Sequence, residues 1–178
     1  MRFTTAISST LIIPTYSFST RHIIVSSQRS KAGFLSSMKN KFSIADYFAL
    51  PQFVVVGASV DREKFGNKVL RAYKEKGYKA TPINTRADVI EDLPTAVSLT
   101  AFAAKLGGEV GQVGVSIITP PAVTKSIMQE GLALGYKYYF LQPGTADASV
   151  QELIDSWHRE KKAHVIQDCV LVQLDVEH

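Results

Sequence analysis

The chain has 178 residues, 46% of them hydrophobic and 20% charged, the profile of a folded globular domain. No apolar run reaches the ~18–20 residues needed to cross a bilayer as a helix. A single cysteine, Cys169, excludes an internal disulfide framework and a cysteine-rich zinc site.

The formal charge is +4, but it is unevenly spread. Arg2, Arg21, Arg29, Lys31, Lys39 and Lys41 all precede the first acid, Asp46, and beyond them 14 basic residues face 16 acidic ones. The basicity therefore belongs to the leader, and nucleic-acid binding loses its main support. Residues 1–44 are acid-free, rich in Ser, Thr and Arg, and interrupted by Pro14. That composition predicts a mitochondrial transit peptide, cleaved between Arg21 and about residue 40. The alternatives are a tail without a role, or translation from Met38, which would leave a cytosolic form.

From residue 45 to 178 one domain is expected. Phe53-Val54-Val55-Val56 reads as a strand buried on both faces, as in a parallel sheet covered by helices. Further strands are predicted at 79–83, 113–119, 137–141 and 163–167. Helices are predicted at 66–76, 121–134 and 148–161, with a weaker one near 99–105 that Gly107-Gly108 would stop. Strands alternating with helices imply right-handed crossovers and an α/β, doubly wound, mostly parallel sheet. In such a sheet ligands sit over the carboxyl ends of the strands.

The loops at those ends are therefore the candidate site. After the first strand comes Gly57-Ala58-Ser59, and Lys64 and Gly66 close the loop. A small-residue turn that opens a helix suits a phosphate, because free amides at a helix N-terminus attract anions. The spacing departs from the Gly-x-Gly-x-x-Gly pattern of dinucleotide enzymes: Ser59 stands at the second glycine, and the next glycine comes nine residues after the first. An ordinary turn with a solvated lysine fits the same residues.

After the second strand stands Asn84-Thr85-Arg86, with no acid until Asp88. A carboxylate there would accept the ribose hydroxyls of NAD, whereas Asn, Thr and Arg tolerate or bind a ribose phosphate. That favours coenzyme A or NADP, although a plain polar turn accounts for the residues equally well. Thr119-Pro120-Pro121 reads as a helix start with Thr119 as N-cap. Gln142-Pro143-Gly144-Thr145 reads as a rigid turn before a helix capped by Asp147 or Ser149. Cys169 beside Asp168 reads as a small buried hydrophobe, His158 as solvated, and Trp157 with Val150, Leu153 and Ile154 as a core stripe. No serine–histidine–acid arrangement or metal-ligand spacing emerges.

Taken together, Val54–Ser59, Lys64-x-Gly66, Gly77-Tyr78, Pro82-Ile83-Asn84, Ser98-Leu99, Thr119-Pro120-Pro121-Ala122-Val123 and Gln142-Pro143-Gly144 resemble the small stand-alone CoA-binding domain family. Its members are similar to the CoA-binding domain of the succinyl-CoA synthetase α subunit, and the likeness runs from about residue 48 to 173. The resemblance implies a Rossmann-like sheet of five or six strands. It implies that Gly57, Ala58, Ser59 and Lys64 hold a diphosphate, with Gly66 closing that loop. It further implies that Asn84 and Arg86 face the 3′-phosphate, that Thr119 and Pro120 lie toward adenine, and that Gln142 and Gly144 line the pantetheine path. Thr85 departs from the family's usual proline after Asn, which predicts a less rigid turn. The expected function is a binding module for coenzyme A or an acyl-CoA, without catalysis, membrane or nucleic acid. The alternative is an NADP-linked oxidoreductase, for which no tyrosine–lysine pair at catalytic spacing is found.

Overall fold

The computed structural model describes residues 42–176; the leader, its cleavage interval and Met38 lie outside them, apart from residues 42–44. Phe42 stacks on Tyr138 and His164 with ring centroids 4.9 and 4.6 Å apart. A short helix, α1 (Ile44–Phe48), follows. Ser43 Oγ accepts from the Asp46 N–H while the Asp46 carboxylate accepts from the Ser43 N–H, a reciprocal cap that satisfies two otherwise orphaned donors. It seats Tyr47, fully buried, between Phe53 and Phe140.

The remaining elements in chain order are β1 (Gln52–Val56), α2 (Phe65–Glu75), β2 (Ala80–Ile83), β3 (Val89–Ile90), β4 (Leu93–Pro94), α3 (Leu99–Lys105), β5 (Val113–Ile117), α4 (Pro121–Leu134), β6 (Tyr138–Leu141), α5 (Ala148–Glu160), β7 (His164–Gln167) and α6 (Val170–Gln173). Five strands form one parallel sheet in the order β2-β1-β5-β6-β7. The central register pairs Val54 with Thr81 on one side and with Val115 on the other. This is the doubly wound arrangement whose strand order reverses between the first and third core strands, here β1 and β5.

Because side chains alternate along a strand, each strand feeds two cores. Val54, Val56, Val115, Ile117, Tyr139 and Leu141 face α3, α4 and α5, where Met128, Ile154 and Trp157 complete one cluster. Phe53, Val55 and Phe140 face α1, α2 and α6, against Tyr47, Leu70, Tyr73 and Leu171. The predicted strands and helices stand within a residue or two of their expected bounds. Asp147 caps α5, accepting from the Val150 N–H at 3.0 Å.

Three elements are additional to the sequence reading: α1, α6 and the hairpin β3–β4. Glu91 and Asp92 turn the hairpin with φ of 49° and 62°, the positive values that a tight two-residue hairpin turn needs. Pro82 is tolerated within β2 because β2 is a sheet edge. The chain leaving the hairpin lies along it, with the Ala96 N–H donating to Pro82 O and the Asn84 N–H donating to Ala96 O, both at 3.0 Å.

Candidate ligand-binding site

At the point where the strand order reverses, a cleft of about 410 Å³ opens over the ends of β1, β2 and β5. Two glycines set the loop at one end of it. Gly57 has φ +91°, and a Cβ there would lie 2.6 Å from Ile118 O and 3.2 Å from Thr119 Cγ2. A Cβ on Gly66 would lie 2.0 Å from Gly57 O. The first turn of α2 therefore rests directly on the peptide that ends β1. Gly66 is thus a packing requirement of the loop, and the ligand role expected of it is indirect.

Two asparagines hold the carbonyl groups of this loop. Asn84 Nδ2 donates to Ala58 O at 2.8 Å. Asn67, fully buried, donates through Nδ2 to Ser59 O at 2.8 Å and to Glu91 Oε1 at 3.0 Å. Its Oδ1 accepts from Arg71 Nε at 2.9 Å. Every hydrogen-bonding atom of that amide side chain is thereby engaged. Among the described residues the N–H groups of Ala58, Ser59, Val60, Phe65 and Gly66 have no protein acceptor. Pinned carbonyls and free amides at a helix start are what an anion requires.

The cations around the loop divide into two groups. Arg62 pairs with Glu91 at 3.4 Å, Lys74 with Asp92 at 3.2 Å, and Arg71 with Asn67. Lys64 and Arg86 are exposed, and among the described residues neither side chain has an ion pair or hydrogen bond. Arg86 sits on a turn that Asn84 builds: Oδ1 accepts from the Arg86 N–H at 2.8 Å and the Ala87 N–H at 3.0 Å. This side-chain turn supplies the rigidity that proline at position 85 would have given. Asn84 thus shapes the site with its Oδ1 and one of its two Nδ2 hydrogens engaged.

Gly57, Ala58, Asn84 and Thr119 line the cleft together. Ser59, Lys64, Arg86 and Pro120, in the same loops, do not line it. Thr119 is not the N-cap of α4: Pro120 occupies that position, and Thr119 instead pairs its hydroxyl with Thr124 Oγ1 at 2.8 Å. Gln142 and Gly144 line a separate recess of about 250 Å³, with Gln167 and Asp168. Gln142 is 4% exposed; its Oε1 accepts from the Val170 N–H at 3.1 Å, and its Nε2 has no partner among the described residues. Asp168 accepts from the Cys169 N–H at 2.7 Å and from Gln173 Nε2 at 3.0 Å. The Asp-Cys ending therefore anchors α6, with Cys169 packed against the core.

The outer walls of the cleft were not singled out from the sequence. They are Val97 and, on one stripe of α4, Val123, Ile127 and Glu130. Val97 is 60% and Val123 48% exposed, apolar surface left open where a ligand would cover it. Thr100 on α3 donates to Glu130 Oε1 at 2.8 Å, joining the two helices. Behind them Tyr136 donates to Leu99 O at 3.2 Å; burial, and then the Glu130 carboxylate, push its hydroxyl up to about 12. Among the described residues no three His, Cys, Asp or Glu gather as a metal site would require, and no helix is long and apolar enough to cross a membrane.

A family model described as CoA binding domain matches residues 51–175. Among solved structures, a conserved hypothetical protein from Pyrococcus furiosus is 25% identical with a TM-score of 0.56, over 68% of this chain and 97% of that one. A protein from Thermus thermophilus is 22% identical with a TM-score of 0.60, over 76% and 96%. A hypothetical protein from Pyrococcus horikoshii is 18% identical with a TM-score of 0.59, over 72% and 84%; at these lower identities the likeness is one of fold. No curated protein sequence matches.

Proposed function

Because the chain belongs to the CoA-binding domain family, we propose that its cleft holds coenzyme A or an acyl-CoA by the diphosphate and the 3′-phosphorylated adenosine, as a binding protein without chemistry of its own. The observation that carries this reading is the division of the cations. Arg62, Arg71 and Lys74 are committed to the protein, while among the described residues the exposed side chains of Lys64, in the first loop, and Arg86, in the second, have no partner. The diphosphate takes the amides and Lys64, and the 3′-phosphate takes Arg86. A guanidinium suits this task because its fork meets two phosphate oxygens at once. NADP, with its own ribose phosphate, is the competing ligand, and the same Arg86 would meet it.

Comparing CoA with dephospho-CoA tests this assignment. The wild-type chain is expected to bind CoA about tenfold more tightly, the effect of one charge-assisted contact. The preference is expected to shrink with added salt, since Arg86 is exposed. In Arg86→Ala it should disappear, with dephospho-CoA bound as before. Equal affinities in the wild type would remove Arg86 from the site.

A further inference from the structure

The cleft has two chemically opposite ends. One is lined by Gly57 and Ala58 of the loop with the free amides; the other ends at the Glu130 carboxylate beside Val97, Val123 and Ile127. Glu130 lies nine residues into α4, about 13 Å along the helix from its start, on the same stripe as Val123 and Ile127. Phosphates are repelled from that end. If the ligand enters as proposed above, its base lies between Val97, Val123 and Ile127, with its far edge toward Glu130.

The state of that carboxylate is specific. Thr100 donates to Oε1 at 2.8 Å, which fixes the group between α3 and α4 and leaves the lone pairs of Oε2 available. A free carboxylate oxygen accepts hydrogen bonds and donates none. It matches a ring carrying an exocyclic amine at its edge and opposes one carrying a carbonyl oxygen.

We propose that Glu130, held by Thr100, is the base-reading residue of this protein, accepting from the N6 amine of adenine and selecting a 6-amino purine over a 6-oxo purine. The proposal rests on the CoA reading of the cleft, but its test is separate. The probes are CoA and its hypoxanthine analogue, in which O6 replaces the N6 amine, titrated into the full chain. The wild type is expected to favour CoA about tenfold, as one hydrogen bond to a charged group allows. Glu130→Ala should bind both compounds alike. Glu130→Gln, whose side-chain carbonyl still accepts, should keep part of the preference. Glu130 is exposed, so neither substitution threatens folding. If Glu130→Ala retains the full preference while binding CoA, the base-reading role is overturned and the CoA reading stands. If the wild type binds neither compound, both fall together.

Discussion

Replacing Gly66 by alanine is expected to destabilise the protein by about 3 kcal/mol, at the upper end for an inserted methyl in a packed site, and to abolish measurable CoA binding. The new Cβ would lie 2.0 Å from Gly57 O and 3.3 Å from Ala58 Cα. Both are backbone atoms, so no side chain can rotate aside. Gly57 cannot retreat freely either, because its own position lies close against Ile118 O. Relief requires α2 to move off the end of β1, which displaces the Gly57-Ala58 turn that lines the cleft. Urea denaturation monitored by tryptophan fluorescence gives the stability. Gly111→Ala is the matched control, since nothing lies within 4 Å of a Cβ there, and it is expected to change stability by less than about 0.5 kcal/mol. Wild-type stability in Gly66→Ala would mean that the helix does not need this close approach.

Asn67→Ala is expected to cost about 2 kcal/mol, because it leaves several part-buried groups without partners. Ser59 O loses its donor, Arg71 Nε its acceptor, and Glu91 one of its contacts. The functional consequence reaches further than the helix. Asn67 links the first loop to the β3–β4 hairpin through Glu91, and without it the Ser59 carbonyl is free to turn toward the anion. CoA affinity is expected to fall about tenfold under conditions where the variant remains folded. Asn67→Asp is the sharper variant: it keeps an acceptor for Arg71 but places a carboxylate beside Ser59 O and Glu91, and should lose at least as much. Unchanged stability in both variants would show that the hairpin does not support the loop.

The core strands and long helices were legible because their patterns are strong and local. Phe53-Val54-Val55-Val56 feeds both cores at once, and a continuous apolar run is what such a strand requires. Helix α4 begins and ends where its prolines and Gly135 say it should. The hairpin was not legible, because Glu91-Asp92 lacks the Asn-Gly signature yet adopts its positive φ values. The α1 cap, Ser43 to Asp46, is a readable signal that falls at the edge of the leader and was absorbed into it.

The same division holds at the site. Loops at strand ends are visible in sequence, and Gly57, Ala58, Asn84 and Thr119 line one cleft. What sequence does not show is which polar atoms the protein has already used. Asn84 and Gln142 each use part of their side chain within the protein, Asn84 on Ala58 O and Gln142 on the Val170 N–H, while the buried Gln142 Nε2 has no partner among the described residues. Val123 and Glu130 look like ordinary helix-surface residues until the fold sets α3 opposite them and opens the cleft between.

We propose that this cleft holds coenzyme A or an acyl-CoA. Calorimetric titration of the full chain with CoA, NADPH and NADH tests it most directly. The expected result is saturable binding of CoA with one-to-one stoichiometry, tighter than NADPH, and no binding of NADH. Binding of NADPH without CoA, or of none of the three, would rule out coenzyme A as the ligand of the cleft.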